Sequence, residues 1–585
     1  MPELRRLLEA RLAPAFALLD PSADPQVRPS DHADFQANGA LALARRLGRD
    51  PRQVAAEVLG HARLDDMCSA VEVSGPGFVN LTLSDGFLSG QLAAMAGDDR
   101  LGVAAAADPH TVVVDYSGPN VAKEMHVGHL RGTIIGDALC RMLEFAGHRV
   151  VRENHVGDWG TPFGMLIEHL LDVGEREAAH ELSVGDLDTF YRQARASFDA
   201  EEEFRSRARR RVVLLQQGDA ETVRLWQVLV AESLRYFDEV YGRLGVLLTD
   251  DDVVGESFYN PMLPAVVDDL AAQGLLVESD GALCVFPEGF ANRQGDPLPL
   301  IVQKSDEGFG YAATDLAAIR DRVTRVGAHR ILYVVGAPQA QHLGMCVAVA
   351  RMAGWLPPGV EAVHVAFGTV LGADRKVMRT RAGETVKLAE LLDEAVERAR
   401  AAVAERNPGL GDEAGAAVAG TVGIGAVKYA DLSTDRARDY VFDWDRMLAL
   451  EGDTGPYLQY AHARIRSIFR RAGAEETAGA PGTGDAGHGP AGRPVLSEPA
   501  ERALGLAVLE YPEALAGALE ACSPNRLCNY LFGLAGAFTT FYETCPVLQA
   551  GDPGTRRSRL ALSDLTARVL AHGLGLLGII APDRM

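Results

Sequence analysis

Hydrophobic positions change period along the chain, and each change marks an element. Residues 111–114 form an unbroken β-branched run that reads as a buried strand. Leu130, Ile134, Ile135, Ala138, Leu139, Met142 and Leu143 then recur at helical spacing until Gly147. Residues 148–152 read as a second strand, so the three segments predict one right-handed βαβ unit. Another unit follows far downstream: a strand over 330–335, a helix over 339–353 closed by Gly354, and a strand over 362–367. Two such halves around a long helical and mixed insertion, about 171–300, predict an α/β doubly wound, Rossmann-like domain. Its ligand belongs at the carboxyl ends of the strands.

The flanking regions read differently. Residues 1–105 mix helical patterns with one strand, 78–83, after a Gly-Pro-Gly turn, an α+β pattern. The Rossmann-like region spans 106–370, and 371–415 forms a loop-bearing junction. From 416 to 585 strand signals fade and leucine- and alanine-rich helical patterns predict an all-α bundle. Within it, 472–494 is rich in Gly, Ala, Pro and Thr, lacks periodicity, and reads as a mobile loop.

Composition narrows the function classes. A chain of 585 residues is too long for one core. No apolar run approaches the roughly 18 residues that span a bilayer, and charged residues interrupt the first 19, so neither a membrane span nor a signal peptide is expected. Seven cysteines without a Cys-x-x-Cys pair indicate neither a disulfide framework nor a zinc ribbon, and fit a reducing cytoplasm. The net charge of −23 argues against indiscriminate polyanion binding. It leaves room for a specific nucleic-acid partner, because cations cluster at Arg205–Arg211, Arg464–Arg471 and Arg556–Arg559.

Candidate chemistry begins at His126-Val-Gly-His129, which falls at the first strand-to-helix turn. Free backbone N–H groups and the positive helix end favour a phosphate there. Gly128 permits close approach, and Lys123 lies one turn upstream. A second element, Gly372-Ala-Asp-Arg-Lys376-Val-Met-Arg379-Thr-Arg381-Ala-Gly383, sets cations on a glycine-flanked loop after the second half. Such a loop can close over a nucleotide triphosphate and neutralise charge developing on its phosphates.

Longer blocks carry a resemblance. Asp115-Tyr-Ser-Gly-Pro-Asn-Val-Ala-Lys-Glu-Met-His-Val-Gly-His-Leu-Arg-Gly-Thr-Ile-Ile-Gly-Asp137 and Asn154-His-Val-Gly-Asp-Trp-Gly-Thr161 resemble the class I aminoacyl-tRNA synthetases and, among them, the arginyl-tRNA synthetase family. So do Lys428-Tyr-Ala-Asp-Leu-Ser433, Phe442-Asp-Trp-Asp445, Glu451-Gly-Asp-Thr-Gly-Pro-Tyr-Leu-Gln-Tyr-Ala-His-Ala-Arg464 and Ala581-Pro-Asp-Arg-Met585. The resemblance covers the chain apart from 472–494.

The resemblance implies an ATP-dependent ligase that makes arginyl-adenylate and passes arginine to tRNA(Arg), with Mg²⁺ arriving on the nucleotide. No protein-held metal is expected, and the chain is expected to be a cytoplasmic monomer. It implies that Asp115, Asn120, His126, Tyr311, Asp315 and Gln339 surround L-arginine. Carboxylates suit that ligand, since a guanidinium is always charged and presents a planar fork of donors. It implies ATP contacts from His126, Gly128, His129 and Lys376, and catalytic roles for Lys123, His126, His129, Lys376 and Arg379. Many members lack the usual Lys-Met-Ser-Lys-Ser loop and carry a compensating lysine where Lys123 stands. Phe78 and Asn80 match positions that contact the outer corner of tRNA, Phe78 also suiting a core position. Tyr457, Gln459, Tyr460 and Arg464 are the implied anticodon-side contacts. Activation of arginine is implied to require bound tRNA.

The chain departs from the family pattern at Arg379, where lysine is commoner, and at Gly336 and Pro338, which replace charged residues. Two other readings share these residues: a nucleotidyltransferase, which needs no anticodon reader, and a specialised or non-catalytic paralogue that supplies Arg-tRNA to a dedicated pathway or binds tRNA.

Overall fold

The computed structural model describes residues 3–174, 187–305, 308–379, 385–406, 411–479 and 493–585. The chain divides into two compact units. One joins 1–105 to 450–575 and 580–585; the other comprises 106–449 with 576–579.

In the first unit, β1 (Val27–Pro29), β2 (Phe35–Ala37), β3 (Cys68–Ser74) and β4 (Phe78–Leu83) form an antiparallel sheet in the order β1-β2-β4-β3. The period of two predicted for 78–83 is present: Val79, Leu81 and Leu83 are buried while Phe78, Asn80 and Thr82 alternate outward. The C-terminal part of the unit consists of the helices Gly455–Gly479, Pro499–Leu509, Tyr511–Glu520, Asn525–Thr544 and Pro553–Leu576. Sequence-distant pairs join the two parts. Arg502 donates to both carboxylate oxygens of Asp34, at 2.9 and 2.7 Å, and to Asp85 at 3.0 Å. The first of the helices reaches Gly479, into the segment expected to be a loop, since its alanines and glutamates favour helix. Residues 480–492 lie outside the described ones.

In the second unit, β5 (Thr111–Tyr116), β6 (Arg149–Glu153), β10 (Arg330–Val334) and β11 (Glu361–His364) build an all-parallel sheet in the order β11-β10-β5-β6. Each strand falls within two residues of its expected start. β5 is buried from end to end, as a strand covered on both faces requires. The insertion contributes the helices Leu187–Ala200, Glu202–Gln216 and Ala220–Leu244, and a small antiparallel sheet of β7 (Val277–Ser279), β8 (Ala282–Val285) and β9 (Leu300–Gln303). A short parallel pair, β12 (Val370–Leu371) and β13 (Tyr440–Val441), precedes and follows the next helices.

The helix Val127–Phe145 lies against β5 through Gly136, where an added Cβ would come 2.3 Å from the Tyr116 ring. The helical bundle was expected to begin at 416, but residues up to Ala449 belong with the parallel sheet. The helices Leu388–Arg406 and Asp412–Leu432 pack on one another, closely enough that a Cβ at Gly423 would stand 2.6 Å from the Ala395 carbonyl. Lys428 is buried among them and donates to the Leu244 carbonyl at 2.8 Å. Among the described residues, no helix is long and apolar enough to cross a membrane.

Candidate active site

The order β11-β10-β5-β6 places β5 beside β10, and the connections from these two strands leave to opposite sides. A crevice must open where they part, above the carboxyl ends. It does: a hollow of about 630 Å³ is lined by Asp115, Tyr116 and Ser117 at the end of β5 and by Tyr333, Val334 and Val335 at the end of β10.

One wall is the start of the helix Val127–Phe145. His126 caps it, its Nδ1 accepting from the Gly128 N–H at 3.1 Å, while the His126 N–H donates to His129 Nδ1 at 3.1 Å. Each Nδ1 is thus an acceptor, so each neutral ring carries its proton on Nε2. Burial holds both pKa values below the usual histidine range, that of His129 at about 3, with the neighbouring His126 adding to the shift. The pair is a set of two neutral N–H donors, with ring centroids 4.0 Å apart. Gly128 was expected to make room for a nucleotide; its nearer duty is to the cap, because a Cβ there would meet the His126 ring at 2.8 Å.

The facing wall is acidic. The helix Tyr311–Thr324 projects Tyr311, Asp315 and Arg322 at spacings of four and seven, hence on one face. Tyr311 stands at the rim, 78% exposed. Asp315 Oδ2 lies 2.5 Å from His342 Nε2, and that hydrogen bond raises the pKa of His342. Arg322 is buried and reaches inward, donating to Glu153 at 2.6 Å and to Asp115 at 2.7 Å. Burial works against its charge, yet the two carboxylates hold its pKa well above the ordinary value. Glu256, from the insertion, completes the wall. Burial, reinforced by Asp158 and Asp315, pushes its pKa up to about 7. Asp158 accepts from the Ser257 N–H and hydroxyl at 2.8 and 2.6 Å, which fixes the turn that carries Glu256.

Seven of the expected site residues share this crevice: Asp115, His126, Gly128, His129, Tyr311, Asp315 and Gln339. Gly336 also lines it, with ordinary clearance for a side chain, and Pro338 occupies the first turn before the helix Ala340–Met352, where proline is tolerated. Asn120 is exposed on the turn beyond β5, bridged to Gly157, and is outside the lining. Lys123 is outside it too, its Nζ 4.7 Å from the centre of the Tyr191 ring. Lys376 and Arg379 are exposed on a hairpin whose Gly372 N–H donates to the Lys376 carbonyl at 2.8 Å. Arg379 pairs with Thr385 beyond it, and the next residue is bonded to the histidine turn, the Val127 N–H donating to Val386 O at 3.0 Å. Arg381 and Gly383 lie outside the described residues.

Glu256, Arg322 and His342 were missed. The last two had a signal, Arg322 seven residues beyond Asp315 and His342 three beyond Gln339 on apolar-periodic helices. Glu256 had none, since its insertion carries no pattern tying it to the sheet.

Phe78 and Asn80 line a separate hollow of about 880 Å³ with Arg28, His32, Gln36 and Gly75, and Asn80 Oδ1 accepts from Gln36 at 2.8 Å. Phe78 is therefore half-exposed beside an opening, outside the core. Tyr460 is exposed, Tyr457 packs edge-on against Phe532, and Arg464 lies over the Tyr542 ring. Gln459 is a correction: it is fully buried and donates to the Ile580 carbonyl at 2.8 Å, so it anchors the C-terminal segment instead of facing a ligand.

Comparison with known proteins bears on all three regions. Residues 91–444 match the family model described as tRNA synthetases class I (R), catalytic domain. Residues 2–83 match the arginyl tRNA synthetase N terminal domain, and 458–585 the DALR anticodon binding domain. The arginine–tRNA ligase of Thermobifida fusca is 55% identical over 583 residues, covering 100% of this chain and 99% of that protein. The chain belongs to the arginyl-tRNA synthetase family. The Escherichia coli (strain HS) member is 48% identical over 589 residues, with 100% of both chains covered. Among solved structures, the synthetases of Plasmodium falciparum and Thermus thermophilus superpose with TM-scores of 0.84 and 0.80, at 28% and 26% identity, each over 100% of both chains.

Within this family member, Arg322 is what lets two acids sit under the crevice. Arg322→Met, which keeps the volume and removes the charge, leaves Glu153 and Asp115 buried without a counter-ion. The expected cost is about 3–5 kcal/mol in denaturant unfolding. A loss below about 1 kcal/mol would show that the ion pairs are incidental.

Proposed function

We infer that the chain is an arginine–tRNA ligase, and that this crevice joins L-arginine to ATP before the arginyl group passes to tRNA(Arg). The observation that carries the reading is one hollow with acids on one wall and neutral N–H donors at a helix N-terminus on the other. The guanidinium lies toward Asp315, Glu256 and Tyr311, with Asp115 and Gln339 nearer the reacting end. The ATP phosphates lie at the histidine turn, where the Nε2–H groups of His126 and His129 and the helix end donate without needing to be charged.

The arginine carboxylate attacks the α-phosphorus and pyrophosphate leaves. A ribose hydroxyl of the tRNA terminal adenosine, the 2′ in this class, then attacks the acyl carbon and releases AMP. No side chain is acylated, so the residues act by position and electrostatics. Lys376 and Arg379 close over the departing pyrophosphate, a role supported by the bond from the Val127 N–H of the histidine turn to Val386, beside the Thr385 that pairs with Arg379. Lys123 adds positive charge beside it. Asn120 reaches the α-amino group once the turn beyond β5 closes. Mg²⁺ fits as an ion carried on the triphosphate, where it neutralises phosphate charge. Phe78 and Asn80 receive the tRNA corner by stacking and base-edge hydrogen bonding, and Tyr457, Tyr460 and Arg464 face the anticodon side. Seven buried free thiols suit the cytoplasm.

Two outcomes test the reading. Arginine-dependent exchange of pyrophosphate into ATP is expected with tRNA(Arg) present and not without it; no exchange under either condition contradicts the assignment. The second is pH dependence. A guanidinium favours ionised Glu256, whose pKa stands near 7, and is opposed by a protonated His342 on Asp315. Both push the arginine KM up as pH falls, the Glu256 component setting in below about 7, by at most about tenfold per pH unit for each proton taken up. Glu256→Gln is expected to bind arginine more weakly and to lose the component centred near 7. An unaltered pH profile in that variant would remove Glu256 from the site.

A further inference from the structure

Behind Asp315 lies a set of side chains that adenylate formation does not use. His342 and Cys346 stand one turn apart on the helix Ala340–Met352 and face Asp315 on the helix Tyr311–Thr324. His342 Nε2 is 2.5 Å from Asp315 Oδ2 and 3.7 Å from Cys346 Sγ. All three donor atoms lie within 4.8 Å of one another. A carboxylate oxygen, an imidazole nitrogen and a thiol sulfur form a donor set suited to a borderline-soft divalent ion, and an i, i+4 pair on a helix aims two of them at one point.

The distances fit such an ion. With bonds of about 2.0 Å to nitrogen and about 2.3 Å to sulfur, a tetrahedral zinc ion sets those atoms about 3.5 Å apart. The observed nitrogen–sulfur separation already approaches this. The oxygen–nitrogen pair must open by less than about 1 Å, a small turn of an Asp315 side chain that remains one-quarter exposed. Cys346 is fully buried while His342 and Asp315 both reach the crevice, so a fourth position opens toward solvent and substrate. Glu256 adds negative charge nearby. The surroundings favour a cation, as the guanidinium pocket does.

We propose that Asp315, His342 and Cys346 form a three-ligand site for a thiophilic divalent cation of the Zn²⁺ class, and that the cation and the guanidinium of arginine exclude one another at Asp315. The second half rests on the arginine placement given above; the first half does not. On binding, the ion gains bonds to Oδ2, Nε2 and Sγ and replaces the Asp315–His342 hydrogen bond. The Cys346 thiol proton passes to solvent, and His342 binds as a neutral imidazole with its proton on Nδ1, the Nε2 proton moving there from the neutral ring or being released from the imidazolium. Burial pushes the Cys346 thiol pKa up, so without the ion the sulfur stays protonated and inert. The consequence is a zinc-sensitive arginine pocket, with inhibition exerted on KM.

Cobalt reports such a site directly, because thiolate coordination gives Co²⁺ a charge-transfer absorption that water and carboxylates do not. The full chain, Cys346→Ala and Cys346→Val are titrated with Co²⁺ after metal-free thermal unfolding has shown the variants folded. Cys346 is outside the crevice lining, so both variants are expected to retain arginine-dependent exchange. The expected result is a cobalt–thiolate band in the natural sequence, absent from both variants and bleached by added L-arginine. Zn²⁺ at twice its own dissociation constant should raise the arginine KM about threefold without lowering kcat, and the variants should lose that rise. No band, or an equal band in the variants, overturns the cation site. A Cys346-dependent band that saturating L-arginine leaves unchanged overturns the exclusion and the placement of the guanidinium on Asp315, while the three-ligand site stands.

Discussion

β5 and β10 pair in parallel, in register from Val112 against Arg330 to Tyr116 against Val334, and the chain leaves them in opposite directions. That pairing decides where a ligand can lie, since a parallel sheet covered on both faces opens only at the ends of its strands. It also creates the main electrostatic problem. Asp115, next to last in β5, and Glu153, which ends the neighbouring β6, stand directly across the register, so two buried carboxylates face one another. Arg322 enters between them from the helix before β10. One guanidinium of the protein thus holds the floor of a pocket read as binding another. The acids left for a ligand, Asp315 and Glu256, stand farther out, beyond its reach.

The histidine turn meets the opposite demand. A phosphate site might be built from cations, but a buried cation is costly and would also attract arginine's carboxylate to the wrong place. The two imidazoles avoid this by capping N–H groups of their own turn, His126 that of Gly128 and His129 that of His126. That fixes both tautomers, keeps both rings neutral and orients Nε2–H donors before a nucleotide arrives. Preorganised dipoles of this kind need little reorganisation as charge shifts toward the leaving pyrophosphate. The exposed cations Lys376 and Arg379 stand apart on the segment after β12, and Val386, next to the Thr385 that pairs with Arg379, accepts from the Val127 N–H of the same turn.

Much of the fold was legible because its signals were local. The β-branched run at 111–114, the helical spacing from Leu130 and the alternation at 78–83 each depend on residues close in sequence, and each element formed where expected. Asp115 and His126 were legible through a long ordered block, which constrains geometry far more than His-x-Gly-His does alone, while Asp315 and Gln339 came only as what the family resemblance implied. What was not legible depended on contacts across the chain. Glu256 reaches the crevice from an insertion with no pattern of its own. Gln459 stood among the anticodon-side contacts the resemblance implied, and only the returning C-terminal segment at Ile580 makes it internal. The division of 416–449 from the bundle likewise followed from helix-on-helix packing at Gly423 and Ala395, which no single-segment periodicity records.

The central claim is that one crevice holds the guanidinium and the nucleotide on opposite walls. A crystal structure with a non-hydrolysable arginyl-adenylate analogue, its phosphate replaced by a sulfamate, tests this most directly. The account predicts the guanidinium within hydrogen-bonding distance of Asp315, and the sulfamate and ribose beside the Nε2 atoms of His126 and His129. An analogue bound in the reverse sense, or with its guanidinium away from both Asp315 and Glu256, would contradict it.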